Sequence, residues 1–197
     1  MGKRKLLLLL CMLLSLAVQA QTATGHLKFK GVPMDGPVDE FVEKIKGNDW
    51  QFFSRPDNGS IILIGTFAGY NDCDIHVYPS SKGNVYQVAI CLKPEKTWNM
   101  LYSEYSKLKD MLTQKYGQPS FCEEKFDSYS EPDNNMKMFY AKTDRCKYST
   151  LFDVAEGYIT VSILHAKDDF VDNCCVMISY IDKQNYQEDQ SSAMDDL

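Results

Sequence analysis

Six side chains, Trp98, Leu101, Tyr105, Leu108, Leu112 and Tyr116, recur at intervals of 3, 4, 3, 4 and 4. That spacing lines them along one side of an α-helix, with Thr97 as its cap and Gly117-Gln118-Pro119 as its stop. A second, shorter stripe (Val38, Phe41, Val42, Ile45) predicts a helix of about ten residues. Asp35, Gly36 and Pro37 suit its start, Asp39 and Glu40 suit the positive end of its dipole, and Gly47 suits its end.

The stretch after each helix has period 2, not 3.6. After the first come strand-like runs at 50–54, 60–67, 73–78 and 84–92, parted by turn formers such as Pro56-Asp57-Asn58-Gly59. After the second come runs at 120–126, 137–141, 146–155, 158–166 and 173–181, with a polar loop expected at 127–135. A helix plus four strands, then a helix plus four or five, predicts an α+β protein. It would be built of two tandem helix-plus-antiparallel-meander repeats, residues 26–93 and 97–181, with helices packed on one face. The sequence leaves open whether the two sheets join. Residues 182–197, rich in Asp, Gln and Ser, read as a polar flexible tail.

Residues 1–20 read as a signal peptide: a basic start at Lys3, Arg4 and Lys5, an apolar run from Leu6 to Val18, and Val18-Gln19-Ala20 before the cut. The expected mature chain starts at Gln21 and works in the periplasm or outside the cell. Losing three positive residues takes the formal charge from −6 to −9. That balance speaks against nucleic acid as a partner, because displacing counterions needs a basic surface. No later stretch is apolar for long enough to be an integral membrane segment.

Six cysteines remain, an even number with no CxxC spacing. Cys122 and Cys146 are the expected disulfide, closing a ring of about 25 residues worth about 3 kcal/mol in the chain-entropy picture. Cys73 and Cys91 are set aside, because the register that buries both apolar faces puts them on opposite sides. The oxygen-rich turn at Asp168, Asp169, Asp172 and Asn173 lacks calcium-loop spacing and reads as a solvated turn, so no metal or other cofactor is expected.

Several segments together resemble a known group. FKGVPMDGPVDEFVEKIKGNDW followed by GTFAGY, then YSKLKDMLTQKYGQP and ISYIDKQN, resemble small exported proteins of Bacteroidetes with tandem repeats similar to the beta-lactamase inhibitory protein fold. The resemblance spans residues 28–185 and rests on turn glycines and helix stripes. It implies an open sheet face that grips a partner protein without catalysis. No match to the inhibitor's contact loops accompanies it, so no beta-lactamase target is carried over.

The residues themselves point the same way. GxSxG, HExxH, the phosphate loop and GxGxxG are all missing from the sequence. The nearest approach to a nucleophile pair, Cys73 with His76, faces opposite sides of one strand. The chain therefore reads as non-enzymatic. Pairing Ile75 with Val88 and Val77 with Tyr86 keeps Tyr86, Val88, Ile90 and Leu92 on the core side. Alternation then leaves Asp74, His76, Tyr78, Val85 and Gln87 on the face away from the core, joined in the second half by Tyr158, Thr160 and Ser162. Tyrosine among small polar groups is the composition of adaptable contact surfaces. The expected function is an inhibitor-like protein-binding module working through that face, its partner unidentified. The alternative is a small-ligand or ion-binding periplasmic protein with its site between the repeats.

Overall fold

The computed structural model describes residues 25–47, 49–167 and 172–195. The expected signal peptide lies outside them, as do Asp168 and Asp169 of the acidic turn. A two-stranded hairpin, β1 (Lys28–Phe29) and β2 (Val32–Pro33), leads into α1 (Val38–Lys46) and the strands β3 (Gln51–Ser54), β4 (Ile61–Phe67), β5 (Tyr70–Pro79) and β6 (Val85–Cys91). Next come α2 (Trp98–Tyr116), β7 (Phe121–Phe126), α3 (Asn134–Lys142), β8 (Cys146–Val154), β9 (Gly157–Lys167), β10 (Asp172–Asp182) and α4 (Lys183–Asp195). The protein is α+β with antiparallel sheets, as its hydrophobic periods predict.

One sheet holds eight strands in the order β3-β4-β5-β6-β10-β9-β8-β7. The junction is β6 against β10, running from Gln87↔Ile181 to Cys91↔Met177. The strands before and after α2 therefore form a continuous sheet. The 19 residues of α2 cover about 28 Å, more than the about 19 Å of four strand spacings it must cross to reach β7 at the far edge.

Burial follows one unbroken row of cross-strand partners, Leu63, Ile75, Ile90, Ile178, Val161 and Thr150. All six are buried. The stripe of α2 and the α1 residues Val38, Phe41, Val42 and Ile45 join this row in a single apolar cluster. At its end the Thr150 hydroxyl meets the Tyr105 hydroxyl at 2.6 Å, which satisfies two polar groups where the apolar row stops. Trp50 belongs to the core too, 2% exposed, with its indole N–H donating to the Thr66 carbonyl at 3.0 Å.

Four expectations change. The run at 137–141 is helical, part of α3: the Asp133 carboxylate accepts from the Asn135 and Met136 amides, and Met138 and Ala141 turn inward at helical spacing. A shift between Tyr78 and Pro79 places Val85, expected on the open face, in the core; Tyr86, expected in the core, is half-buried beside Tyr186.

The polar tail carries α4, anchored at its first turn. Asp182, with a fully buried side chain, accepts from the Asn185 amide at 2.8 Å and the Leu27 amide at 2.7 Å, and faces His26 at 3.2 Å. The Asn185 amide group donates to the Met34 and Val85 carbonyls at 2.7 and 2.8 Å.

The Cys122–Cys146 bridge is not formed. Register pairs Cys122 with Thr150 and Cys146 with Phe126, so the two lie four positions apart along β7. That is about 13 Å of strand, against a Cα separation of at most about 7 Å for a disulfide. Cys122 and Cys146 are both unbridged thiols.

Candidate functional site

Helices α1, α2 and α3 share one apolar cluster with the core face of the sheet. Among the described residues the opposite face has no such layer, and α4 borders only its end, where Tyr186 meets Tyr86 at 6.4 Å between ring centroids and Lys183 lies over the Tyr158 ring at 4.7 Å. Strand alternation decides which side chains appear there. On β5 they are Asp74, His76 and Tyr78, flanking the buried Ile75 and Val77. The structure pairs Ile75 with Ile90 and Val77 with Val88. This is two residues from the register that alternation alone suggested for Ile75 with Val88, and a two-residue slip keeps every side chain on its own face.

Two rows cross the seam. One runs Ile62, His76, Ala89, Ser179, Thr160, Leu151; the next runs Ile64, Asp74, Cys91, Met177, Ser162, Ser149. A third joins Tyr78, Gln87, Ile181 and Tyr158. Apart from Val85, the residues expected on the open face thus share one surface. Those of the first half and those of the second are separated by β10 alone.

Sequence reasoning missed the share that β10 takes in this face. Cys175, Met177, Ser179 and Ile181 are its contribution, and the burial of Val176, Ile178 and Tyr180 between them is the alternation that would have revealed it.

The middle of the surface is low. Ala89 and Ser179, 3% and 2% exposed, form the floor of a shallow trough along the seam. Gln87 reaches across and donates to the Ser179 hydroxyl at 2.8 Å. On one bank the His76 ring lies nearly parallel to Tyr78, 6.0 Å between centroids and 11° between planes. Burial lowers the His76 pKa below its ordinary value despite the opposing pull of Asp74, so the ring is neutral at pH 7. Burial, then Cys91 and Tyr86, raises that of Tyr78, which keeps its phenol proton. The bank therefore offers flat, uncharged, hydrogen-bonding aromatics.

Cys91 and Cys175 touch across the seam. The hydrogen bond from Cys175 lowers the Cys91 pKa, while the same bond and burial raise that of Cys175. The Cys73 thiol points to the core and donates to the Tyr70 carbonyl at 3.4 Å. Among the described residues no group of three or more His, Cys, Asp or Glu side chains is arranged to hold a metal ion. Comparison with known protein families, with curated proteins and with solved structures gives no match for this chain.

Proposed function

We propose that this chain is an exported, non-enzymatic module that binds a partner protein through the uncovered sheet face. The observation that carries the proposal is a wide face with no covering layer among the described residues, on which apolar and aromatic side chains stand half-exposed. Ile62, Ile64, Leu164, Met177 and Ile181 are all of this kind, alongside Tyr78 and Tyr158. A solvated sheet face is ordinarily polar, and contiguous apolar area on one marks an interaction surface.

Size supports the same reading. Eight strands at about 4.8 Å spacing and about seven residues each give roughly 34 by 23 Å, or about 800 Å². That is about what one partner contributes to a standard protein interface. The seam trough would receive a protruding segment, with the His76–Tyr78 bank and Gln87 as anchors and Tyr158, Thr160 and Ser162 as the far bank. The proposal includes the repeat architecture: α1 with β3–β6 and α2 with β7–β10 as two related halves that meet at their last strands. It also includes the resemblance to inhibitor-like exported proteins of Bacteroidetes.

The experiment is affinity capture with immobilised residues 21–197 in periplasmic and culture-fluid extract of the host. Tyr78→Glu and Thr160→Glu serve as face variants, and Met111→Glu on the helix side as the control. One stoichiometric partner, kept by the control and lost by both face variants at unchanged melting temperature, supports the reading. A partner retained equally by all three places binding elsewhere and overturns it.

A further inference from the structure

On the helix side, α2 stands away from the β1 hairpin and the β4–β5 turn. The gap is a cavity of about 250 Å³. Its inner wall is apolar, with Phe29, Phe67 and Leu108 among the lining. Its rim carries Lys28, Lys30 and Lys115, which also line an adjoining cleft of about 480 Å³ that holds Glu156. Independently of the docking face, we infer that this cavity binds a small amphiphilic carboxylate, its short apolar body inside and its anionic head among the three lysines.

Three observations converge. First, a chain of formal charge −6 lines an apolar hole with three exposed lysines, and among the described residues none of the three is ion-paired. Lysines elsewhere on the surface do hold carboxylates, as Lys82 holds Glu188 at 3.0 Å and Lys109 holds Glu124 at 2.5 Å. Instead, Lys30 lies over the Trp50 ring at 4.1 Å and Lys115 over Tyr116 at 4.8 Å. Like charges gathered at a low-dielectric wall repel, and an anion relieves them.

Second, the cavity is bordered by two tight hairpin turns, Lys30-Gly31 and Ala68-Gly69, whose left-handed backbone (φ 50° at Lys30 and Ala68, 81° at Gly31, 87° at Gly69) fixes the walls they form. Third, the volume lies below the usual range for drug-sized ligands, which suits a medium-length chain and excludes a broad polycyclic body.

The test uses residues 21–197 with octanoate as probe, and octylammonium and octanol as charge-reversed and neutral counterparts. Binding is read by calorimetry and by fluorescence in a Trp98→Phe background, where Trp50 is the remaining tryptophan and Lys30 sits on its ring. The expected result is saturable binding of octanoate, a Trp50 signal change, no binding of octylammonium, and weaker binding of octanol. Lys30→Glu and Lys115→Glu should each lower octanoate affinity by about tenfold, with the loss shrinking as salt is added.

Octanoate and octanol binding alike would remove the anionic head from the assignment. No octanoate binding, or affinity unchanged in both lysine variants, would overturn the site. Because Tyr78→Glu leaves this cavity intact, it should bind octanoate like the wild type, so this test and the docking test fail separately.

Discussion

Replacing Asp182 with alanine tests how much a single carboxylate ties the ends of the chain to the sheet. Its side chain is fully buried, and it is the acceptor for two backbone amides from distant segments, Leu27 and Asn185. Alanine strands both donors where water does not reach them. Each buried donor left without a partner costs about 1–3 kcal/mol. The Asn185 share already contains the loss of the α4 cap, about 1 kcal/mol by itself, so it is counted once.

The His26 contact adds little, since its ring is 21% exposed and screening weakens such pairs. The sum is about 2–6 kcal/mol, a large share of the about 5–15 kcal/mol that holds an ordinary domain. With a urea slope of about 2 kcal/mol per molar, the midpoint should fall by about 1–3 M. Asp182→Asn keeps one carbonyl oxygen and should lose about half as much. Equilibrium unfolding followed by fluorescence and far-UV circular dichroism reads both variants. An alanine variant within about 0.5 kcal/mol of wild type would refute the latch, because orphaned amides cannot be that cheap.

Two further outcomes rest on particular contacts. A Cβ on Gly65 would stand 2.1 Å from Cδ1 of Trp50, which is walled in by the core. Gly65→Ala should therefore destabilise by about 1–3 kcal/mol, and a urea midpoint within error of wild type would show that the indole has room to yield. Glu104 is held up to about pKa 7 by burial first and then by the charge of Glu95, against Lys107, and its Oε2 is buried without a hydrogen-bond partner. A carboxyl with a raised folded-state value stabilises the fold at low pH, and that contribution is lost as pH rises from about 4.5 through about 7. Glu104→Gln should accordingly raise stability at about pH 8 and change it little at about pH 4. A wild-type-to-variant gap that is the same at both ends would contradict that assignment.

What the sequence discloses depends on the distance over which each determinant acts. Helix α2 is legible because six apolar residues at 3 and 4 spacing fit no other element. The faces of β5 and β9 are legible because alternation survives a two-residue register error. Helix α3 is not, since Met136, Met138, Phe139 and Tyr140 suit a strand by composition, and the decisive signal is the Asp133 cap two and three residues before Asn135 and Met136.

Helix α4 has almost no apolar stripe, and its anchor, Asn185, works through carbonyls 100 and 151 residues away. Val85 enters the core through a local irregularity that no pattern announces. The seam between β6 and β10 joins strands separated by the whole of α2, α3 and three strands. A local pattern cannot carry that pairing, yet it is what turns two groups of candidate residues into one surface.

That strand order also fixes when the sheet can be finished. The last of the described strands, β10, occupies a central place, between β6 and β9. A chain emerging amino-terminus first must hold two unpaired strand borders open until its final segment arrives, and α4 comes only then. Exposed borders of this kind invite pairing with other chains. Synthesis that stops a few dozen residues short therefore yields a product sticky at two places. The same ordering makes the docking of β10 the moment at which the sheet leaves its most aggregation-prone state.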